Sequence, residues 1–360
     1  MKHVIDRIKQ YWFLLVAALC LLLTLLLSLW DRSYAGQLTS ENLVERWNAE
    51  EDYQQVSVYF PTGQGLSEEE IQTLTTGLNT ALAEASIDTT EGEGRKLVTA
   101  CSAKSEAYLS SDTASITARC YGVSKDFFLF HPIDLVSGSY ITDSDPDDCG
   151  IVIDEYVAWQ LYGAIDVAGM SVNFEGEEYT IRGVVRSEEG YFSEAAGETT
   201  PTVYVDYALL DSDASYSDGE DWSDSDSYSD LTFENLEVLV ISPVDDFGED
   251  TVSQVLETSL GRTAENYILV TDSSRFTLAN RLARYKEIGT RAMSSQDVIY
   301  PYWENRARAY EEVLQITLTI EILLMIYPCV LGLYWLIRGI RYLDRRCKAW
   351  IAKKRTHVQP

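Results

Sequence analysis

The chain has 360 residues, with 57 aspartates and glutamates against 28 lysines and arginines and a formal net charge of −29. This length allows about two or three compact units. So strong a negative charge repels nucleic acids, and no nucleic-acid partner is expected. With 3 histidines in the chain, there is little material for a multi-histidine metal site or a histidine-based triad. The sequence therefore predicts a protein that is not an enzyme and holds no metal or cofactor.

The first predicted element is an apolar helix at residues 12–30, after a short N-terminal segment at 1–11. Its sequence, WFLLVAALCLLLTLLLSLW, carries no charge, and at about 1.5 Å per residue it covers most of a ~30 Å hydrocarbon core. The basic residues before it are Lys2, Arg7 and Lys9. By the positive-inside rule they predict a cytoplasmic N-terminus. The alternative is a cleaved signal peptide, because SYA at residues 33–35 has the small-x-small pattern of a cleavage site.

Residues 31–272 are predicted to form an extracytoplasmic domain. Residues 54–60 alternate like a strand, and residues 66–86 have helical periodicity with an N-terminal capping box of Ser67 and Glu70. Two further strands are predicted at 97–109 and 114–123, joined by a Ser-Ser-Asp turn.

Two cysteines lie in that predicted hairpin. In such a hairpin Cys101 and Cys120 are expected to fall nearly opposite each other, which makes them candidates for a disulfide, and an extracytoplasmic compartment would permit one. The alternative is a pair of small buried thiols. The sequence leaves both open.

The same pattern of strand, helix and strand returns at 236–243, 245–261 and 266–272. Two such β-α-β units packed together predict an α+β fold with a ferredoxin-like layer. The chain between them, about 125–232, is predicted to be a mostly β insertion with a helix near 154–162. Within it, residues 211–230 are rich in acids and poor in apolar groups, which predicts a mobile loop.

Residues 273–312 are predicted to form a helical stalk, with a break near Ser294 and Pro301, that leads into a second membrane helix at 313–337. That span contains one charge, Glu321, whose burial in lipid would be costly. Glu321 is therefore either a contact with another membrane helix or a residue near the outer headgroups. Pro328 is predicted to kink the span and favour a helix partner.

A basic tail at 338–360 follows the second span and predicts a cytoplasmic C-terminus, with both termini on the same side of a plasma membrane. Its apolar residues share one helical stripe, which favours contact with an anionic inner leaflet. The candidate contact residues are Arg341, Arg345, Arg346, Lys348, Trp350, Lys353 and Lys354. The simpler interpretation is that these charges only set the topology.

Four stretches in sequence order resemble a known family. They are YGVSKDFFLF (121–130), LVSGSYIT (135–142), GIVIDEYVAWQLYGAIDVAGMSVNFEGEEYTIRGVV (150–185) and PTVYVDYALL (201–210). Together they resemble the MacB-like periplasmic core domain of type VII ABC transporters, whose permeases include the MacB, LolC/LolE and FtsX types. The resemblance covers roughly residues 10–337. It implies paired β-α-β units split by a mostly β insertion, between membrane helices.

Local features of these stretches predict folding roles. Gly122 and Gly138 are predicted to mark turns, and Asp154 to cap a short helix that ends at Gly163. The chain departs from the family in having two predicted spans where the permeases have four. It also contains no Walker A glycine-rich loop.

These observations predict a non-catalytic membrane subunit of an ABC-type export or mechanotransmission system, partnered by an ABC ATPase and further permease subunits. The alternative is an anchored surface module that binds or senses an envelope protein or peptide ligand without coupling to ATP.

Overall fold

The computed structural model describes residues 2–47, 52–87, 95–142, 150–186, 190–197, 199–214, 232–287, 289, 294–295 and 298–356. The helices are α1 (Lys2–Ala35), α2 (Leu43–Trp47), α3 (Glu68–Glu84), α4 (Phe127–Phe130), α5 (Glu155–Tyr162), α6 (Tyr191–Ala196), α7 (Tyr207–Ala214), α8 (Phe247–Leu260), α9 (Leu278–Ala283) and α10 (Tyr302–Thr356). The strands are β1 (Tyr53–Tyr59), β2 (Leu97–Ser110), β3 (Ser115–Val123), β4 (Asp134–Gly138), β5 (Gly150–Asp154), β6 (Ser171–Phe174), β7 (Glu177–Arg186), β8 (Thr202–Asp206), β9 (Asn235–Ile241), β10 (Ile268–Thr271), β11 (Ser294–Ser295) and β12 (Val298–Ile299). Short 3-10 turns occupy Thr39–Asn42, Asp272–Ser274 and Arg284–Glu287.

The chain divides into two compact units. One combines Met1–Gln37 with Glu312–Pro360, and the other is Leu38–Glu311. Among the residues that the structure describes, two helical segments are long and apolar enough to cross a membrane, Tyr11–Ala35 and Tyr302–Lys348. Within the first unit these helices contact each other, since the Thr317 hydroxyl donates to Asp31 at 2.9 Å. The Tyr327 hydroxyl likewise donates to the Phe13 carbonyl at 3.3 Å.

The second unit contains a four-stranded layer in the order β10-β1-β9-β2. Strand β9 is antiparallel to both β1 and β2, and β10 is antiparallel to β1. The two β-α-β segments therefore interlock, because each has one of its strands between the two strands of the other. Helices α3 and α8 pack against each other, and Ser67 with Glu70 forms the predicted capping box of α3.

The residues beneath α3 and α8 form one apolar core. They are the inward-facing residues of the strands and helices: Val56, Val58, Leu236, Val238, Val240, Leu74, Leu78, Leu82, Val252, Val255 and Leu256. Because successive strand residues point to opposite faces, the intervening residues of β1 and β9 lie on the other face of the layer. That second face carries the polar residues described below.

The long strand β2 continues from this layer into a second group of strands. Its first half pairs with β9, and its second half pairs with β3 and, at its end, β6. Strand pairing then runs β2-β3-β8-β5-β7-β6 and returns to β2. Four strands of the predicted insertion, β5 to β8, thus form a closed ring together with β2 and β3. Apolar residues of α5 and α7 belong to the core of this ring.

Asp154 caps α5 as the sequence predicts. Its Oδ1 accepts from the Val157 amide at 2.7 Å, and its Oδ2 accepts from the Thr202 amide at 2.6 Å. Burial raises the pKa of this carboxyl to about 6, partly offset by those amide donors. At the other end of α5, Gly163 adopts the left-handed conformation with φ of 66°, which glycine accommodates without strain.

Two predictions are wrong. Cys101 and Cys120 do not lie opposite each other, because the hairpin register pairs Cys120 with Ser105. Of the two alternatives that the sequence leaves open, the structure has the pair of buried free thiols. Gly122 lies inside β3, not in a turn; a Cβ there would stand 2.6 Å from Leu210 of α7, so glycine serves close packing. In the predicted stalk at 273–312, the β11–β12 pair and Pro301 separate α9 from α10, at the position where the sequence predicts a break.

Candidate functional site: a buried ionic cluster at the start of helix α10

Five charged residues meet on the second face of the four-stranded layer, and we call them the ionic cluster: Glu41, Asp272, Arg275, Glu304 and Glu311. Glu41 lies in the 3-10 turn that begins the second unit. Asp272 and Arg275 lie in and after the turn that ends β10. Glu304 and Glu311 lie seven residues apart on α10, so they share one helix face.

Arg275 is the centre of the ionic cluster, and its side chain is only 1% exposed. The guanidinium binds Glu304 in bidentate fashion, with Nη1 at 2.7 Å from Oε2 and Nη2 at 2.8 Å from Oε1. Its Nε donates to Glu311 at 2.9 Å, and its Nη1 also donates to Glu41 at 3.1 Å. This planar fork suits arginine, whose guanidinium matches carboxylates in this geometry.

The strands supply polar partners to the ionic cluster from beneath. The Ser57 hydroxyl donates to Asp272 in a short hydrogen bond, and the Tyr59 hydroxyl donates to Glu304 at 3.3 Å. Both residues are on β1, two positions apart, and therefore point to the same face. The charges are thus held by the sheet as well as by one another.

The ionic cluster contains more carboxyl groups than cations. Burial raises the pKa of Asp272 well above its ordinary value, and the neighbouring Glu41 adds to that effect. Burial likewise raises the pKa of Glu41, although Arg275 opposes it. For Arg275 itself, burial alone would lower the pKa, but Glu304 and Glu41 raise it well above its ordinary value. A proton is therefore favoured on the Glu41–Asp272 pair, while the guanidinium stays charged.

A second buried chain of hydrogen bonds lies beside the ionic cluster. His131 contacts the Ser40 hydroxyl through Nδ1 at 3.0 Å and Glu237 through Nε2 at 2.6 Å. A serine, a histidine and a carboxylate in this order match the connectivity of hydrolytic triads. Here, however, Ser40 is only 6% exposed and its hydroxyl is held by His131. These hydrogen bonds therefore hold Ser40 and its neighbour Glu41 in place, and the Ser40 hydroxyl is not presented to a substrate.

The first turn of α10 also packs against the ring of strands. Trp303 lies 4.4 Å from the ring of His131 and 5.3 Å from that of Tyr121 on β3, measured between ring centroids. The hydroxyls of Tyr302 and Tyr204, the latter on β8, are 2.9 Å apart. The beginning of α10 therefore contacts both the four-stranded layer and the ring.

The residues that the sequence predicts as contact sites lie elsewhere on α10. Glu321 is partly exposed, and the helix continues through Pro328. Five predicted tail residues are exposed on the same helix: Arg341, Arg345, Arg346, Lys348 and Trp350. The side chains of Lys353 and Lys354, and most of the predicted loop at 211–230, lie outside the described residues. The structure brings none of the described contact residues into the ionic cluster.

The sequence analysis did not single out the ionic cluster. One signal was available, since the odd-numbered residues Gln55, Ser57 and Tyr59 of β1 are polar or amphipathic, whereas Val56 and Val58 are apolar. Buried polar side chains are nearly always hydrogen-bonded. A buried strand with polar residues on one face therefore predicts polar partners packed against that face. The identity of those partners depends on segments far apart in the chain.

A comparison with protein-family models identifies the family of the chain. The family model of the MacB-like periplasmic core domain matches residues 21–280, and the chain belongs to this family. A search of the curated proteins gave no match.

Among solved structures, the chain is similar to the periplasmic region of MacB from Actinobacillus actinomycetemcomitans, at 14% identity and a TM-score of 0.40, with 61% of this chain and 89% of that chain covered. It is also similar to the extracellular domain of the noncanonic ABC-type transporter YknZ from Gram-positive bacteria, at 15% identity and a TM-score of 0.38, with 60% and 99% covered. Family membership rests on the family model.

Proposed function

We propose that this chain is a non-catalytic membrane subunit of an ABC-type export or mechanotransmission system. In this proposal both termini are cytoplasmic, the Leu38–Glu311 unit is extracytoplasmic, and its interlocked β-α-β segments form a ferredoxin-like layer. ATP hydrolysis takes place on a partner ATPase, and movement reaches the domain through the membrane helices.

The ionic cluster is the observation that carries this proposal. Arg275 joins the first three turns of α10 to the end of β10 and to the 3-10 turn at Thr39–Asn42. That turn follows α1 closely in sequence, and α10 is the helix that contains the second candidate span. The cluster thus connects the two points at which the domain continues into the candidate spans. A displacement of either point would be transmitted to the sheet, because a buried ion pair is costly to separate.

The basic tail and Glu321 fit the same proposal as contacts made within the membrane and at its inner surface. We propose that Glu321 faces a helix of a permease partner, with Pro328 adapting the helix to it. The tail residues Arg341 to Lys354 would lie against the anionic inner leaflet.

The test is photocrosslinking in native membranes, with a photoreactive amino acid at position 321 and mass spectrometry of the adducts. Position 323 is the matched control, because two residues along a helix point roughly 200° apart and Leu323 is exposed. Adducts at 321 with a permease or an ATPase-bearing chain, absent at 323, would support the proposal. Adducts of the chain only with itself, or none, would contradict it and favour an anchored module that binds an envelope ligand.

A further inference from the structure

Helix α5 presents two large aromatic side chains to solvent. Tyr156 is 51% exposed and Trp159 is 59% exposed. They are three positions apart, so they share one face of the helix. The opposite face is buried in the core of the ring of strands through Val157, Ala158 and Leu161. Large exposed rings on an otherwise well-packed helix are typical of a surface that binds another molecule.

Both ends of α5 are fixed, so the two aromatic rings have a firm support. Asp154 caps the start of the helix and Gly163 ends it. At the last turn, the hydroxyl of Ser111, from the turn between β2 and β3, donates to the Leu161 carbonyl at 2.8 Å. A support that is already ordered has little conformational entropy to lose on binding.

The loop after α5 adds two more exposed apolar residues, Ile165 and Met170. This loop stays beside the helix, because Val167 is buried in the same core as Val157 and Leu161. Aromatic residues and methionine are enriched in protein–protein interfaces relative to the rest of the surface. Isoleucine and methionine offer no strong hydrogen bond to the hydroxyls of a sugar, so this composition favours a peptide over a glycan. We call the four exposed residues the α5 face: Tyr156, Trp159, Ile165 and Met170.

The basic residues near the α5 face are already engaged. Residues 150–186 contain six acidic and two basic residues. Of the two bases, Arg186 is paired with Glu155 at 3.1 Å. The side chain of Arg182 lies against Gly150, at the start of β5, whereas α5 follows the end of that strand. The charge left over beside α5 is therefore negative.

Two exposed acids lie next to the α5 face. Asp166 is in the loop between Ile165 and Met170, and Asp112 directly follows Ser111, which is bonded to the last turn of α5. Carboxylates attract a cation, and the faces of tryptophan and tyrosine rings bind guanidinium and ammonium groups. A second copy of the chain, with its net charge of −29, or an anionic membrane would be repelled. The α5 face is thus complementary to a cationic partner.

We infer that the α5 face binds a peptide segment that carries arginine or lysine beside apolar side chains. The cationic groups lie over Tyr156 and Trp159, and Asp112 and Asp166 attract them. The apolar side chains pack against the remainder of the α5 face. Binding of this kind requires neither an ATPase nor a permease partner, and it is therefore independent of the proposed function.

The experiment uses the full chain in phosphatidylcholine nanodiscs at physiological salt, with a photoreactive amino acid in place of Gln160. Gln160 is exposed and lies four positions after Tyr156, so the crosslinker stands beside the α5 face without replacing any of its residues. The matched control is Gln72 of α3, which is also exposed. It lies four positions after Glu68 and three after Glu69, on a helix that has acids in its first turn but no aromatic residue.

The probe is a short synthetic peptide in which arginine alternates with leucine. A second peptide carries citrulline in place of each arginine, which keeps the shape of the side chain and removes its charge. A variant of the chain, Trp159→Ala, removes the larger ring at an exposed helical position, where alanine is a good helix former.

With the arginine peptide we expect several-fold more adduct at position 160 than at position 72. We expect a several-fold loss at 160 with the citrulline peptide, and a similar loss with Trp159→Ala. Equal labelling at 160 and 72 would overturn the inference, since the net charge of the chain alone would then attract the peptide. Equal labelling by the two peptides would overturn the cationic partner, and undiminished labelling of Trp159→Ala would overturn the role of the aromatic rings. None of these results depends on the adducts formed at position 321.

Discussion

The two faces of the four-stranded layer are built from alternating residues of the same strands, yet they hold their neighbours by different means. On one face, Val56 and Val58 pack beneath α3 and α8 in an apolar core. On the other, Ser57 and Tyr59 bind the ionic cluster. Apolar packing is nondirectional and tolerates small shifts, whereas a bidentate ion pair fixes one geometry. The comparison indicates that the domain uses packing to hold its own helices and ion pairs to hold the segments that lead to the candidate spans.

The largest expected effect on the free energy of unfolding comes from removing Arg275, the cation at the centre of the ionic cluster. Arg275→Met leaves Glu304, Glu311 and Glu41 buried without the Arg275 guanidinium, although the partly exposed Arg284 still contacts Glu311. Losing one partner of a buried ion pair typically costs about 3–5 kcal/mol of the free energy of unfolding. We expect this loss at neutral pH in urea unfolding of the detergent-solubilised chain, with partial recovery at acidic pH as the carboxylates become protonated.

Arg284→Met is the matched control for that variant, since Arg284 contacts the same oxygen of Glu311 but its side chain is 36% exposed. An ion pair of this kind contributes less than about 1 kcal/mol. If Arg275→Met is destabilised no more than Arg284→Met, the ionic cluster does not hold α10 to the sheet. If Arg275→Met does not fold at neutral pH, the comparison is made at acidic pH, where a variant that is still unfolded would contradict the proposed cause.

The apolar face should respond differently to a large-to-small substitution. Leu78→Ala removes a fully buried side chain beneath α3, and such substitutions cost about 2–5 kcal/mol. We expect this loss to be the same at neutral and acidic pH, because no titratable group is exposed by the change. A loss that recovers at acidic pH like that of Arg275→Met would remove the distinction between the two faces.

The smallest expected effect is a change in pH dependence. The pKa of Asp272 is raised in the folded chain, so the folded state binds that proton more tightly than the unfolded state. Its contribution to stability is therefore complete below the ordinary aspartate pKa of about 3.9 and is lost as the pH rises through the folded pKa. The slope from this one group is at most about 1.4 kcal/mol per pH unit.

Asp272→Asn should flatten that slope while the rest of the acidic surface keeps its own titration. The measurement is the free energy of unfolding from pH 4 upward for the two proteins, in which the difference between the curves isolates Asp272. Asp245→Asn is a suitable control, as Asp245 is an exposed acid in the turn before α8. Parallel curves for Asp272→Asn and the parent chain would show that Asp272 is not protonated in the ionic cluster.

Much of the fold could be predicted because its signals are local. The Ser67–Glu70 capping box, the leucine stripe of α3 and the Asp154 cap of α5 each depend on residues within one or two turns. The expectation that Cys101 and Cys120 lie nearly opposite each other failed through register, since the Ser110–Ser115 pairing sets Cys120 opposite Ser105. A one-residue shift changes every partner in a hairpin, so correct strand boundaries did not suffice.

The ionic cluster could not be predicted in the same way. Its members are residues 41, 272, 275, 304 and 311, which are far apart in the chain. Nothing in the sequence distinguishes its four acidic residues from the rest of the 57 aspartates and glutamates. Arg275 carried a weak signal, because it begins a stretch without acids in an acidic domain. Only the interlocked order of β10, β1 and β9 brings these segments onto one face.

The most direct test of the account is a double-mutant cycle between Arg275 and Glu304, using Arg275→Met, Glu304→Gln and the double variant in the full chain. The account predicts that the two residues are coupled by at least about 1.5 kcal/mol, the lower end of what close charge pairs show. Additive losses, with a coupling within about 0.5 kcal/mol of zero, would contradict it, since α10 would then be held to the sheet by packing alone.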